Sequence, residues 1–275
     1  MRIRYPLFGA VLAFISTAAL SATPLASGTT DSTPSIAKHF GSQMAKASGP
    51  LLDRGGAVLA SSKTYAIFWG PAAHFPSDEQ RLIPSLLQGF AGSGYLNIAN
   101  QYFRGASAQT SFVGSLVDGS APPKSNPNAA TLGAEVARVL PAGTTLDPTA
   151  LYLIYTSNDA AKNYCAYHNQ TTVSGVSIQV AYIPNTAGIA GCDAGNLDPT
   201  STVTEGTRSV ADSTAHEFME AITDPKPGST WTDKSGYEIG DKCELAPEAL
   251  VPLTGSIWQL QSEWSNAAAG CVFSG

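Results

Sequence analysis

The stretch Ala150 to Thr156, ALYLIYT, is the strongest constraint on how this chain can fold. A short apolar run of this kind, bounded by polar residues, reads as a strand buried on both faces. Tyr65, Ile67 and Trp69 alternate with Ala66 and Phe68 in a second buried strand that stops at Gly70-Pro71. Thr110 to Val117 and Ser177 to Ile183 give two more. Helical signals lie between them. Ser77 followed by Gln80 forms a capping box ahead of Leu82, Ile83, Leu86, Leu87 and Phe90 at helical spacing. Pro84 is expected to kink that helix or delay its start. A loop rich in Pro and Asn, Ala121 to Asn128, precedes a helix over Ala130 to Leu140. Strands alternating with helices predict a single α/β domain over residues 61–275, a mixed central sheet with flanking helices. No internal repeat interrupts the pattern.

The N-terminus and the cysteines bear on compartment. Arg2 and Arg4 precede the apolar stretch Leu7 to Leu20, with small residues at Ala19, Ser21 and Ala22. Residues 1–21 therefore read as an export signal, and residues 22–60, rich in Ser, Thr, Ala and Gly, as a flexible leader. No later stretch nears the roughly 18 consecutive apolar residues of a membrane span. Cys165, Cys192, Cys243 and Cys271 are even in number, which in an oxidising compartment favours two disulfides. Sequential pairing closes the shortest loops, each worth about 3.6 kcal/mol by chain entropy. The absence of any CxxC pair argues against a cysteine-based zinc site. Only 13% of residues are charged, and without Arg2 and Arg4 there remain 13 basic residues against 21 acidic ones, a net charge of −8. So acidic a chain offers no general footprint for nucleic acid or anionic membranes.

Chemistry concentrates in Ser209 to Asp224, SVADSTAHEFMEAITD. Ala215, Phe218, Met219 and Ile222 recur as a core-facing helical stripe over Ser209 to Thr223. His216 and Glu220, four apart, stack one turn above the other beside it, and Asp224-Pro225 ends the helix. Two donors at this spacing with Glu217 between them give HExxE, a variant of the zincin helix. In that helix the pair grips a metal and the intervening Glu handles a proton. The bland alternative is a His–Glu pair on a solvated face. Glu238 and Asp241, 18 and 21 residues after Glu220, suit a gluzincin-like return of a carboxylate to the metal. One of them would ligate and the other hold the free ring nitrogen of His216. Asp224 is a lesser third-ligand option, and an ordinary loop pair is the structural alternative for Glu238 and Asp241.

Several blocks resemble the secreted Exordium, or phosphate-induced, protein family. They are YAIFWGP with DEQRLIPSLLQGF, SGYLNIANQYF, ALYLIYTSND with NYCAYH, HEFMEAITDP with EIGDKCE, and QSEWSNAAAGC. The most specific block is similar to the family's at His216, Glu217, Glu220, Pro225, Glu238, Asp241, Cys243 and Glu244. The resemblance covers roughly residues 60–273. Asp224 stands where plant members tend to have Asn, and the stretch between Pro225 and Glu238 is shorter. The resemblance implies a secreted protein linked to cell walls or growth.

Two functions follow as expectations. The first is a secreted, zincin-like metallohydrolase acting on peptide bonds. His216, Glu220 and Glu238 or Asp241 would hold Zn²⁺, and Glu217 would be the general base. Oxygen-rich ligation also admits Mn²⁺ or Ca²⁺. The second is a non-enzymatic wall or matrix interaction protein with a structural metal site. His168, near Cys165, is a candidate fourth ligand or transition-state partner, against a structural role. His74 reads as a loop histidine, Tyr237 as a candidate oxyanion donor, and Asn169-Gln170-Thr171 as a glycosylation sequon. The chain has neither a phosphate-binding Gly-rich loop nor a GxSxG elbow.

Overall fold

A computed structural model describes residues 49–124, 126–159 and 164–275. The export signal and most of the leader lie outside the described residues. The first half of the domain comprises β1 (Leu52–Asp53), β2 (Ser61–Trp69), α1 (Glu79–Gly89), α2 (Gly94–Asn97), β3 (Gln109–Asp118) and α3 (Ala129–Val139). It continues with β4 (Ala150–Asp159), β5 (Tyr167–Val173), β6 (Val176–Asn185) and α4 (Glu205–Thr223). Short strands complete it: β7 (Trp231–Thr232), β8 (Ala249–Leu253), β9 (Ser256–Leu260), β10 (Glu263–Ser265) and β11 (Gly270–Val272).

The main sheet has five strands in the order β3-β2-β4-β6-β5. Neighbours are parallel except at the edge, where β5 runs antiparallel to β6. The mixed central sheet expected from the sequence is present, with β4 at its centre. Alternation along β4 sends Leu151, Leu153 and Tyr155 to one face and Ala150, Tyr152 and Ile154 to the other. The first set joins Ile83, Leu86 and Leu87 of α1 and Ala215, Phe218 and Ile222 of α4. The second packs with Leu132 and Val136 of α3. The sheet is thus covered on both faces.

Element bounds differ from expectation in ways that have local causes. Pro84 lies inside α1 without ending it, and Asp78, not Ser77, occupies the N-cap position with no side-chain cap bond. Asn128 caps α3 by accepting from the Thr131 backbone N–H. The leader is shorter than expected at its domain end. Leu51 is buried in the core, β1 pairs with β7, and Leu59 N–H donates to the Ile222 carbonyl. Residues 51–60 therefore belong to the packed domain.

The sequential disulfides, Cys165–Cys192 and Cys243–Cys271, both form. The first ties the approach to β5 to the loop after β6. The second ties the Glu238–Cys243 segment to β11. No helix of the described residues is long and apolar enough to cross a membrane.

Candidate metal centre

The helix α4 is buried around nearly its whole circumference, yet it carries Asp212, His216, Glu217 and Glu220. A helix enclosed on every side ordinarily has apolar residues on every side. Its start, four residues before the expected one, is fixed by a tertiary cap. Thr204 is the N-cap, and Asp78 accepts from the Thr204 N–H and hydroxyl and from the Thr207 hydroxyl, at 2.9, 2.5 and 2.6 Å. The apolar stripe sets the roll of the helix. Phe218 stacks on Phe90 of the turn after α1, with centroids 4.6 Å apart and planes 2° from parallel. His216 and Glu220 are thereby turned toward the Glu238–Cys243 segment.

That segment folds back onto α4. Asp233 accepts from the backbone N–H groups of Ser235 and Tyr237 and shapes the turn that reverses the chain. Asp241 N–H then donates to Glu220 Oε1 at 3.1 Å, and Glu238 N–H to Asp241 Oδ2 at 3.0 Å. His216 Nε2 lies 3.2 Å from Glu220 Oε1 and 3.8 Å from Asp241 Oδ1. The solvated His–Glu pair is excluded, since both side chains are fully enclosed.

Glu238 takes a different partner from the one expected. It does not hold the second nitrogen of His216; its Oε1 lies 3.2 Å from His168 Nε2 in a hydrogen bond. His216 Nδ1 has no hydrogen-bond partner and faces Gly240, where an added Cβ would meet it at 2.7 Å. Asp224 is also engaged elsewhere. Its oxygens accept from the N–H groups of Gly228, Ser229 and Thr230, so it builds the turn after α4.

His168 enters from β5. Tyr167 packs on the α3 face of the sheet, so His168, one residue on, points to the α4 face. It is fully buried, and its Nε2 is 3.6 Å from Glu220 Oε2. Two donor groups result among the described residues: His216, Glu220 and Asp241, and His168, Glu217 and Glu220. Within each group the ligand atoms lie within 4.8 Å of one another. Glu263 of β10 is a further enclosed carboxylate near the centre, accepting from the Tyr95 hydroxyl at 2.6 Å. In the sequence it lies within the QSEWSNAAAGC block, with nothing there marking it as part of this site.

Several buried polar atoms of the cluster are left without partners. Neither ring nitrogen of His216, neither oxygen of Glu217, nor Glu220 Oε2 has a hydrogen-bond partner, though all are buried. Orphaned buried groups of this kind cost roughly 1–3 kcal/mol each, more when charged. A tetrahedral ion with bonds of about 2.1 Å holds its ligand atoms about 3.4 Å apart. Within the group of His216, Glu220 and Asp241, the His216 Nε2 separations of 3.2 and 3.8 Å straddle that value.

Burial, reinforced by Glu220 and other carboxylates, holds Glu217, Glu238 and Asp241 well above the usual carboxylate range. Burial opposes charge on His216, but Glu220, Glu217 and Asp241 outweigh it and raise its pKa well above the ordinary imidazole value. Burial dominates at His168 and lowers its pKa. Burial also acts against ionisation of Glu220, yet His216 and His168 hold its pKa below the usual value. A cluster this rich in enclosed carboxylates is one that a cation would relieve.

The remaining sequence candidates sit outside this centre. His74 is exposed in the short turn Ala72–His74. Tyr237 is half-buried, its backbone tied to Asp233. Asn169 is 4% exposed within β5. Comparison with protein-family models, with curated proteins and with solved structures found no match.

Proposed function

We propose that this chain is an exported, zincin-like metallohydrolase of Exordium type acting on peptide bonds. His216, Glu220 and Asp241 hold Zn²⁺ and Glu217 is the general base. The observation that carries this reading is the meeting of His216 Nε2 with Glu220 and Asp241 in a buried site where the imidazole has no hydrogen-bond partner. One imidazole and two carboxylates also accept Mn²⁺ or Ca²⁺. A bound divalent cation supplies Lewis acidity toward a carbonyl and toward water. Glu217, next to His216 and with both oxygens unpartnered, would take up and return a proton. Glu238 orients His168 on the opposite side. The two disulfides support export, and the mixed sheet with its motif-bearing helix supports the zincin-like reading.

One observation favours a second reading, a non-enzymatic wall or matrix protein with a structural metal. Glu217 and its neighbours are enclosed, whereas a catalytic metal keeps an open position. Metal analysis of the exported protein, combined with hydrolysis of a mixed peptide library, separates the two. The enzyme reading expects Glu217→Gln to retain the metal held by His216, Glu220 and Asp241 and to lose roughly 10²–10⁴-fold in rate. Wild-type protein that holds metal yet cleaves nothing favours the structural reading, and protein without metal contradicts both.

A further inference from the structure

The donors around α4 fall into two groups that share a residue, and the shared residue divides its atoms between them. Glu220 Oε1 faces His216 at 3.2 Å, while Glu220 Oε2 faces His168 at 3.6 Å. The second group adds Glu217, both of whose oxygens are fully buried and unpartnered. Glu220 Oε2 is likewise unpartnered. Glu238 Oε1, 3.2 Å from the same His168 nitrogen, stands on the other flank as a further donor.

We propose that the centre binds a second divalent cation, held by His168, Glu217 and Glu220, with Glu220 bridging the two positions through its separate oxygens. This rests on the reading of His216, Glu220 and Asp241 as the first site. One carboxylate spanning two ions matches the separation of about 3.5–4 Å common in two-metal centres.

The test is a titration of the full exported chain, stripped with chelator, using Zn²⁺ alone, followed by calorimetry and by metal analysis after desalting. Wild type should take up two zinc ions per chain in distinguishable steps, and His168→Asn only one. If His168→Asn fails to fold, Glu217→Gln replaces it. That isosteric change should weaken the second step by roughly 10–100-fold or more and leave the first unchanged. Saturation of wild type at one ion overturns the second site and leaves the first standing. Uptake of none overturns the first-site reading and this one together. Two unaltered steps in His168→Asn or Glu217→Gln place the second ion elsewhere and also refute the proposal.

Discussion

Replacing Gly240 by Ala tests how the centre is held without replacing any ligand. A Cβ built on Gly240 would lie 2.7 Å from His216 Nδ1, 2.9 Å from Cε1 and 3.0 Å from Cγ. Since ordinary contact begins near 3.4 Å, the ring would have to retreat by about 0.7 Å. It has little room to do so. His216 is fully enclosed, and the Gly240 carbonyl is fixed by the Cys243 N–H at 2.8 Å and the Gln261 side-chain amide at 3.2 Å. Overpacking of this kind costs about 1–3 kcal/mol, and in a domain of this size each kcal/mol lowers Tm by about 2–4 °C. The displaced Nε2 should also weaken zinc binding by roughly 10–100-fold, the usual cost of misplacing a ligand. Calorimetric melting and zinc competition with a chromophoric chelator measure the two effects. Gly119→Ala, where an added Cβ meets nothing within 4 Å, is the control. If Gly240→Ala matches wild type in both Tm and zinc affinity, the packing of the EIGDKC segment against His216 is refuted.

Three further outcomes are expected. Phe218→Ala removes the stack on Phe90 from a fully buried site and should cost about 3–5 kcal/mol in urea unfolding. Non-reducing peptide mapping should recover only Cys165–Cys192 and Cys243–Cys271, and replacing either pair with Ser should lower stability by about 3–4 kcal/mol. Burial, with Asp78 beside it, pushes the Glu79 carboxyl from 4.5 up to about 8. The folded state therefore favours its neutral form. That contribution is complete below the unfolded value of 4.5 and is lost as pH rises through about 8. Glu79→Gln should flatten the stability profile in that window by up to about 1.4 kcal/mol per pH unit relative to wild type.

The sheet and the motif helix were legible because their signals are local. ALYLIYT declares itself by apolar continuity, and α4 by the spacing of Ala215, Phe218, Met219 and Ile222. The first turn of α4 was not legible, since its cap depends on Asp78, far away in the chain. The strand carrying His168 was missed for a related reason. YHNQTTV is mostly polar and becomes a strand by pairing with VSIQVAYI. One signal could have found it. Ser174-Gly175 separates the two runs, and both residues adopt positive φ (48° and 82°), as a two-residue hairpin turn requires. With that hairpin drawn, alternation alone sends His168 toward α4. Glu263 and Gly240 had no such signal, because their roles come from packing between segments. The exchange of partners, Asp241 with His216 and Glu238 with His168, is likewise set by how the turn at Asp233 folds.

The central claim is that His216, Glu220 and Asp241 form a metal centre. Crystals of the exported protein, measured on both sides of the zinc absorption edge, test it most directly. An anomalous peak should appear about 2.0–2.2 Å from His216 Nε2 and from carboxylate oxygens of Glu220 and Asp241. A map without a peak there, with His216 Nε2 donating a well-aligned hydrogen bond to Glu220 instead, would contradict the account.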